Sequence, residues 1–219
     1  MLGLGVTIIG IGLLYGQILK VESRSYLPFI SVSLAIWYFL SNTITESTVV
    51  FQVNGHVITS TPVPYTSFIL RCVTRNAIVA AHYVVVVGLT FALCRFPVHW
   101  MGLAAIPGVV LLCGNLLWIS LVVGLICARF RDVAQMIMYM IQLAMFLTPI
   151  IWQPSHIRAD AAVLALNPFY HMVQIVRAPL LDGTFPLQSF VFCAGALVVG
   201  GAVSVFALIK FRRSLVFWI

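Results

Sequence analysis

Glu46 is a carboxylate at the edge of an apolar stretch, and an acid inside a membrane segment is by default a candidate for proton transfer or for contact with a moving solute. It stands near the end of its stretch, where water reaches it. Three roles are open: a structural or gating role, substrate contact in the interior, or a proton relay. A second cluster is the run Arg129-Phe130-Arg131-Asp132. Its charges fit a basic anchor at a tight turn, with Asp132 capping the following helix, a position that favours aspartate. No other spacing supports catalysis. A Walker loop needs Gly-Lys followed by Ser or Thr, whereas Lys20 precedes Val21 and Lys210 precedes Phe211. HExxH is absent. Cys72, Cys94, Cys113, Cys127 and Cys193 have no metal-ligand spacing and read as small apolar packing residues. The histidines are equally dispersed.

The elements that carry these residues follow from charge-free windows at 1–19, 25–45, 76–94, 96–128, 133–157 and 183–209. A helix crosses the hydrocarbon core of a bilayer in about 20 residues. Backbone in lipid must satisfy its own hydrogen bonds, so such windows are helical. The expected spans are about 2–19, 28–51, 76–94, 101–128, 133–152 and 187–209. The chain is 62% apolar and 8% charged, which excludes an ordinary soluble enzyme, where charged residues make up about 25%. Six spans nearly consume the 219 residues as a single transmembrane domain. The fold class expected is an all-α integral membrane protein. The net charge of +7 is spread over span ends and indicates no nucleic-acid partner.

Two connectors are longer. Residues 52–75 are rich in Asn, Gly, Ser, Thr and Pro and read as a loop with a short helix after Pro64. Residues 153–186 are broken by Asn167-Pro168 and fit short interfacial or re-entrant helices. Counting alternate connectors, one set holds Arg71, Arg75, Arg129, Arg131, Lys210, Arg212 and Arg213. The other holds Lys20, Arg24, Arg95, Arg158 and Arg177. Seven against five places the first set, and with it both termini, in the cytoplasm. Gly12 and Gly16 have the small-xxx-small spacing that lets helices approach closely.

The run GLICARFRDVAQMIMYMIQLAMFLTPIIW, followed by LNPFYHMVQIVRAPLLDG, resembles the C-terminal half of type 2 ABC exporter permeases of the polysaccharide class. These membrane subunits export lipid-linked O-antigen, teichoic acid and capsule chains. The resemblance rests on Arg129, Arg131 and Asp132, then Thr148-Pro149, Asn167-Pro168 and Arg177. The segment from Tyr26 to Pro64 is similar to the family's span two and following loop, through Trp37, Asn54, Ile58, Pro62 and Pro64. Family members ordinarily carry a cytoplasmic segment with a surface helix before span one; this sequence opens in span one, as expected of either a late-assigned start or a short variant.

The resemblance implies a homodimeric half-pore in a bacterial inner membrane, working with a separate ATPase that supplies ATP and magnesium, so that the chain itself holds no cofactor. The ATPase contacts it implies involve Pro64, Tyr65, Phe68, Arg71, Arg129, Arg131 and Asp132. A lipid-linked glycan would pass Trp37, Tyr38, Glu46, Tyr139, Phe146, Trp152, Phe169 and Tyr170. Aromatic rings at these places also serve as interfacial anchors or packing. Arg177 would meet a lipid or carrier phosphate, or snorkel to headgroups. A drug or small-lipid exporter permease shares this plan. Another class is an intramembrane sugar or acyl transferase, for which Glu46, Asp132, Asp160 and Asp182 are the acids, and none converge by spacing. A secondary transporter lacks its usual internal repeat.

Overall fold

The computed structural model describes residues 2–18, 23–61, 63–153 and 161–218. Lys20, Pro62, Arg158 and Asp160 lie outside the described residues. The architecture is helical throughout: α1 (Leu2–Ile18), α2 (Ser23–Ser47), α3 (Val50–Val53), α4 (Gly55–Ser60), α5 (Tyr65–Cys94), α6 (Ala105–Arg129), α7 (Arg131–Leu147), α8 (Ala161–Leu166), α9 (Pro168–Leu181) and α10 (Leu187–Phe211). Single 3-10 turns sit at Trp100–Ala104 and Leu215–Phe217.

Among the described residues, four helical stretches are long and apolar enough to cross a membrane: 25–47, 65–94, 100–129 and 187–211. The helices α1 and α7, each 17 residues, are shorter. Their length of about 26 Å, at a rise of about 1.5 Å per residue, is just under the hydrocarbon thickness.

The core is built around α2, which packs against α1, α5, α6, α7 and α9. It buries Ser31, Ser33, Thr43 and Ser47 along with its apolar side chains. Three of those hydroxyls return to their own helix, Ser31 to the Pro28 carbonyl at 2.8 Å, Thr43 to Phe39 at 2.6 Å and Ser47 to Ile44 at 2.6 Å. A polar group satisfied inside its own helix can be buried without a partner from elsewhere.

Three boundaries differ from the sequence expectation, each for a local reason. The second span stops at Ser47, because the Ser47 and Thr48 hydroxyls take the Ile44 and Thr45 carbonyls and the chain turns before resuming as α3. The helix expected after Pro64 is not a separate short one: residues 65–75 are the first turns of α5, continuous with the third span. Pro64, at φ −60° and ψ 130°, sets the helix entry, and nothing after it interrupts 30 residues of helix. The fifth span ends at Leu147 and not at Trp152. Thr148 is extended, at φ −95° and ψ 135°, as the residue before a proline prefers.

Two glycines set how closely helices approach. A Cβ on Gly108 would run into the Ile175 carbonyl, so α6 meets α9 backbone to backbone. Gly200 of α10 receives the indole of Trp118 from α6 in the same way.

Candidate functional site

The connector 148–151 is held by three side chains from three places in the chain. Asn167 is the N-cap of α9, with Pro168 in the first turn. Its Oδ1 accepts from the Phe169 and Tyr170 amides at 3.0 and 3.3 Å, which satisfies two of the orphan donors of a helix start. Its Nδ2 donates to Thr148 Oγ1 at 3.1 Å and to the Leu147 carbonyl at 3.4 Å, tying α9 to the end of α7. Tyr26 of α2 donates its hydroxyl to the Ile151 carbonyl at 2.7 Å. Arg177 donates through Nη1 to the Pro149 carbonyl and to Ser33 Oγ at 3.3 Å, and through Nη2 to Gln174 Oε1 at 2.9 Å. Its guanidinium also lies 5.0 Å from the Phe29 ring.

Arg177 is therefore an interior residue, 4% exposed. The expected phosphate contact at the membrane face, and the alternative of snorkelling to headgroups, both give way to a set of protein acceptors. The cause is the packing of α9 against α2, α6 and α10, which turns this face of the helix inward. His171, six residues earlier on the same helix, is buried between Ser189 Oγ and the Ala165 carbonyl, each 2.9 Å away, and stacks on Phe192 at 4.3 Å.

The sequence-predicted basic residues of the first set gather at one end of the bundle. There Glu46 of α2 forms an ion pair with Arg75 of α5 and accepts from Asn76 Nδ2. Gln52 of α3 donates to the Cys127 carbonyl of α6 at 3.0 Å, and Phe51 packs edge-on against Tyr65 with 6.3 Å between ring centres. A cavity of about 190 Å³ lies here, walled by Glu46, Asn54, Phe68, Arg71, Cys72 and Arg75 among others. Among the ATPase-contact residues, Pro64, Arg71, Arg129, Arg131 and Asp132 are exposed and Tyr65 is half-buried. Phe68 is buried, which turns it away from any partner surface. Asp132 lies in the first turn of α7, but the cap position belongs to Phe130, which makes no side-chain cap bond. The carboxylate thus acts only through the field at the helix start.

A second, apolar cavity of about 860 Å³ runs between α6, α7, α9 and α10, walled by Trp118, Ile137, Met140, Leu147, Phe169 and Phe192 among others. The structure brings only some of the predicted aromatic residues together. Trp37 is buried and meets Phe169 edge-on, ring centres 5.9 Å apart. Tyr38 pairs with Tyr83 at 6.4 Å. Trp152 donates to the Phe146 carbonyl at 3.1 Å. Tyr139 and Phe146 face outward, and Tyr170 is half-buried beside His171. Sequence reasoning missed Asn115, whose Nδ2 donates to the Leu111 and Cys193 carbonyls while its Oδ1 accepts from Trp118. An amide alone in a long apolar stretch was the available signal.

Helices with outward-facing apolar surfaces, long enough to cross a bilayer and joined by short connectors, define a multi-pass membrane protein. Residues 3–181 match the family model described as ABC-2 type transporter, and the chain belongs to that family as a permease component. Membership implies an ABC ATPase as partner. A search of curated proteins gives no match.

Proposed function

We propose that the chain is the membrane subunit of an ATP-driven exporter that moves a lipid-linked polysaccharide across a bacterial inner membrane. Two copies form the pore, and each binds a separate ATPase that carries ATP and magnesium. All 219 residues serve as one permease domain, crossing six times through α1, α2, α5, α6, α7 and α10, with α8 and α9 as the re-entrant part at the outer face. Placing the basic end in the cytoplasm follows the positive-inside rule. With Arg177 in the interior, the opposing connectors keep only Lys20, Arg24, Arg95 and Arg158.

The observation that carries the substrate reading is one face of α7. Gln135, Tyr139, Gln142 and Phe146, at helical spacing, are all exposed. Hydrocarbon is a poor solvent for two carboxamides, since an unpaired amide costs several kcal/mol there, roughly 4–8 against cyclohexane. A hydrated path lined by amides and rings suits a sugar chain. The nearly all-apolar cavity beside it favours a lipid tail, and so also supports a second reading, export of a small lipid or drug.

Reconstitution separates these. The purified chain alone should hydrolyse no ATP, and with its ATPase it should form a two-plus-two complex that exports polyprenyl-linked glycan in proteoliposomes. Transport of a fluorescent phospholipid without any glycan transport establishes the second reading. Full transport by a monomer without an ATPase sinks both.

A further inference from the structure

At the basic end of the bundle, two cations are held against rings, and no carboxylate side chain among the described residues pairs with either. Arg129, the last residue of α6, places its guanidinium carbon 5.1 Å from the Trp218 ring and 5.3 Å from the Phe130 ring. Trp218 lies 5.5 Å from Phe211, and the Lys210 ammonium is 5.5 Å from the same Phe211 ring and 5.9 Å from Phe206. The four side chains form one continuous array, Arg129, Trp218, Phe211, Lys210. It is assembled from the ends of α6 and α10 by the 3-10 turn Leu215–Phe217, which the fully buried Leu215 pins to the bundle.

Contact with a ring face fixes a cation without using its N–H donors. No side-chain hydrogen bond or ion pair takes up Arg129 or Lys210, and among the described residues the only ion pair is Arg75 with Glu46. Arg131, Arg212 and Arg213 add positive charge at this end, all exposed, against Asp132 and the Glu46 that Arg75 already holds. Both cations terminate apolar stretches long enough to span, which puts them at the depth of lipid headgroups. Phe217 is 86% exposed and Phe206 66%, apolar surface suited to acyl chains beside the charges.

We propose that Arg129, Lys210, Phe211 and Trp218 form a binding site for the phosphate of an anionic phospholipid in the surrounding bilayer. The guanidinium fork grips two phosphate oxygens, the ammonium supplies a second charge, and the rings hold both in place. Clusters of basic residues at the cytoplasmic ends of spans attract anionic headgroups in this way. The exposed aromatic residues favour a lipid over an acidic protein surface, since rings belong at the membrane interface. The inference does not depend on the exported substrate, and it takes Arg129 away from the ATPase contact expected from the sequence.

The full chain, delipidated in a neutral detergent, is titrated with phosphatidylglycerol or phosphatidylcholine, and bound lipid is counted by native mass spectrometry. The expected result is saturable binding of phosphatidylglycerol with weak binding of phosphatidylcholine. Arg129→Gln with Lys210→Gln should weaken phosphatidylglycerol binding by about tenfold or more and leave phosphatidylcholine unchanged. Arg129→Lys should fall between, because the ammonium loses the two-pronged grip, and Arg95→Gln at the opposite end should bind as wild type. Unchanged elution volume and helical circular dichroism establish that each variant is folded, and Trp218→Ala stands in for any that is not. Equal retention of the two lipids, or undiminished phosphatidylglycerol binding by the double variant, overturns the proposal. So does loss of ATPase co-purification in the double variant without a change in lipid binding, which would assign the surface to the partner protein.

Discussion

Arg177 and Pro149, 28 positions apart, meet through one hydrogen bond from the guanidinium to a carbonyl that no helix can use. Thr148 leaves the helical conformation because a proline follows it, so the Pro149 carbonyl falls outside the hydrogen-bond ladder of α7. A buried carbonyl without a donor costs about 1–3 kcal/mol, and Arg177 removes that cost while also serving Ser33 and Gln174. Asn167 also donates to the Leu147 carbonyl, which is exposed and carries no such cost. The two contacts make the end of α7 and the whole of α9 one body.

From this, Arg177→Ala should lower the unfolding temperature of the protein in nanodiscs, with a loss of about 2–4 kcal/mol for the Pro149 and Ser33 oxygens, the buried two of its three acceptors. Arg177→Lys should be impaired too, since an ammonium cannot serve three acceptors in the fork geometry. A lysine variant as stable as wild type would return Arg177 to the membrane interface.

Asn167 should show a graded response. Asn167→Asp keeps the oxygen that caps α9 but loses the donors to Leu147 and Thr148. Asn167→Ala loses both, and the cap alone is worth about 1 kcal/mol. Thermal unfolding should therefore rank wild type, Asp, Ala, and an Asp variant as poor as Ala would mean that the tether to α7 outweighs the cap.

Gly108 and Gly195 offer a paired test of helix packing. A methyl on Gly108 collides with the Ile175 backbone, whereas one on Gly195 meets nothing within 4 Å. Overpacking of this kind costs about 1–3 kcal/mol. Gly108→Ala should reduce the yield of folded protein and Gly195→Ala should leave it within experimental error. Equal yields from the two would show that α6 and α9 can separate freely.

The apolar stretches were readable because hydrocarbon tolerates few charges, and those at 25–45, 76–94, 96–128 and 183–209 fall in helices long enough to span, whereas 133–157 yields only the 17 residues of α7. Their ends were harder. The break after Ser47 is made by hydroxyls that compete for helix carbonyls, a contest that composition does not decide. The helix start after Pro64 was legible, but not that it runs unbroken into the third span, since no charge-free window joins 65–75 to it across Arg71 and Arg75. The Asn167-Pro168 step was legible as a break, whereas the span expected to Trp152 ran through Thr148-Pro149. The contact between Asn167 and Thr148 was not legible, because two residues 19 positions apart leave no local pattern. Arg177 was misplaced for the same reason. A lone arginine near a span end looks like an interfacial residue until the acceptors on α2 and at Pro149 are seen around it.

The coupling segment can be tested by contrast between neighbours. Phe68 is buried and Arg71, one turn later, is exposed. Phe68→Glu should abolish accumulation of the protein, because a carboxylate would be forced into the core. Arg71→Glu should accumulate normally and reduce transport-coupled ATP hydrolysis severalfold. Normal coupling in Arg71→Glu would show that this part of α5 does not touch the ATPase.

The last test concerns how two copies meet. If the Gln135, Tyr139, Gln142 and Phe146 face of α7 lines a shared path, it faces its counterpart across a two-fold axis, and each position approaches itself. In a background with all five cysteines replaced, single cysteines along α7 should cross-link to dimers at these positions and stay monomeric at Ile141 and Ala144, which are buried. The cross-linking yield should rise and fall with the period of a helix, about 3.6 residues. Because a disulfide needs Cα atoms within about 7 Å, a short bis-maleimide should extend the pattern to positions farther from the axis. Val198 and Val203 on α10, equally exposed, are the controls that lipid alone should cover. Dimers formed through those positions, with none through α7, would move the interface to α10 and leave the two glutamines without water or partner, which the solvation cost of an amide in hydrocarbon makes untenable unless α7 pairs with some other protein.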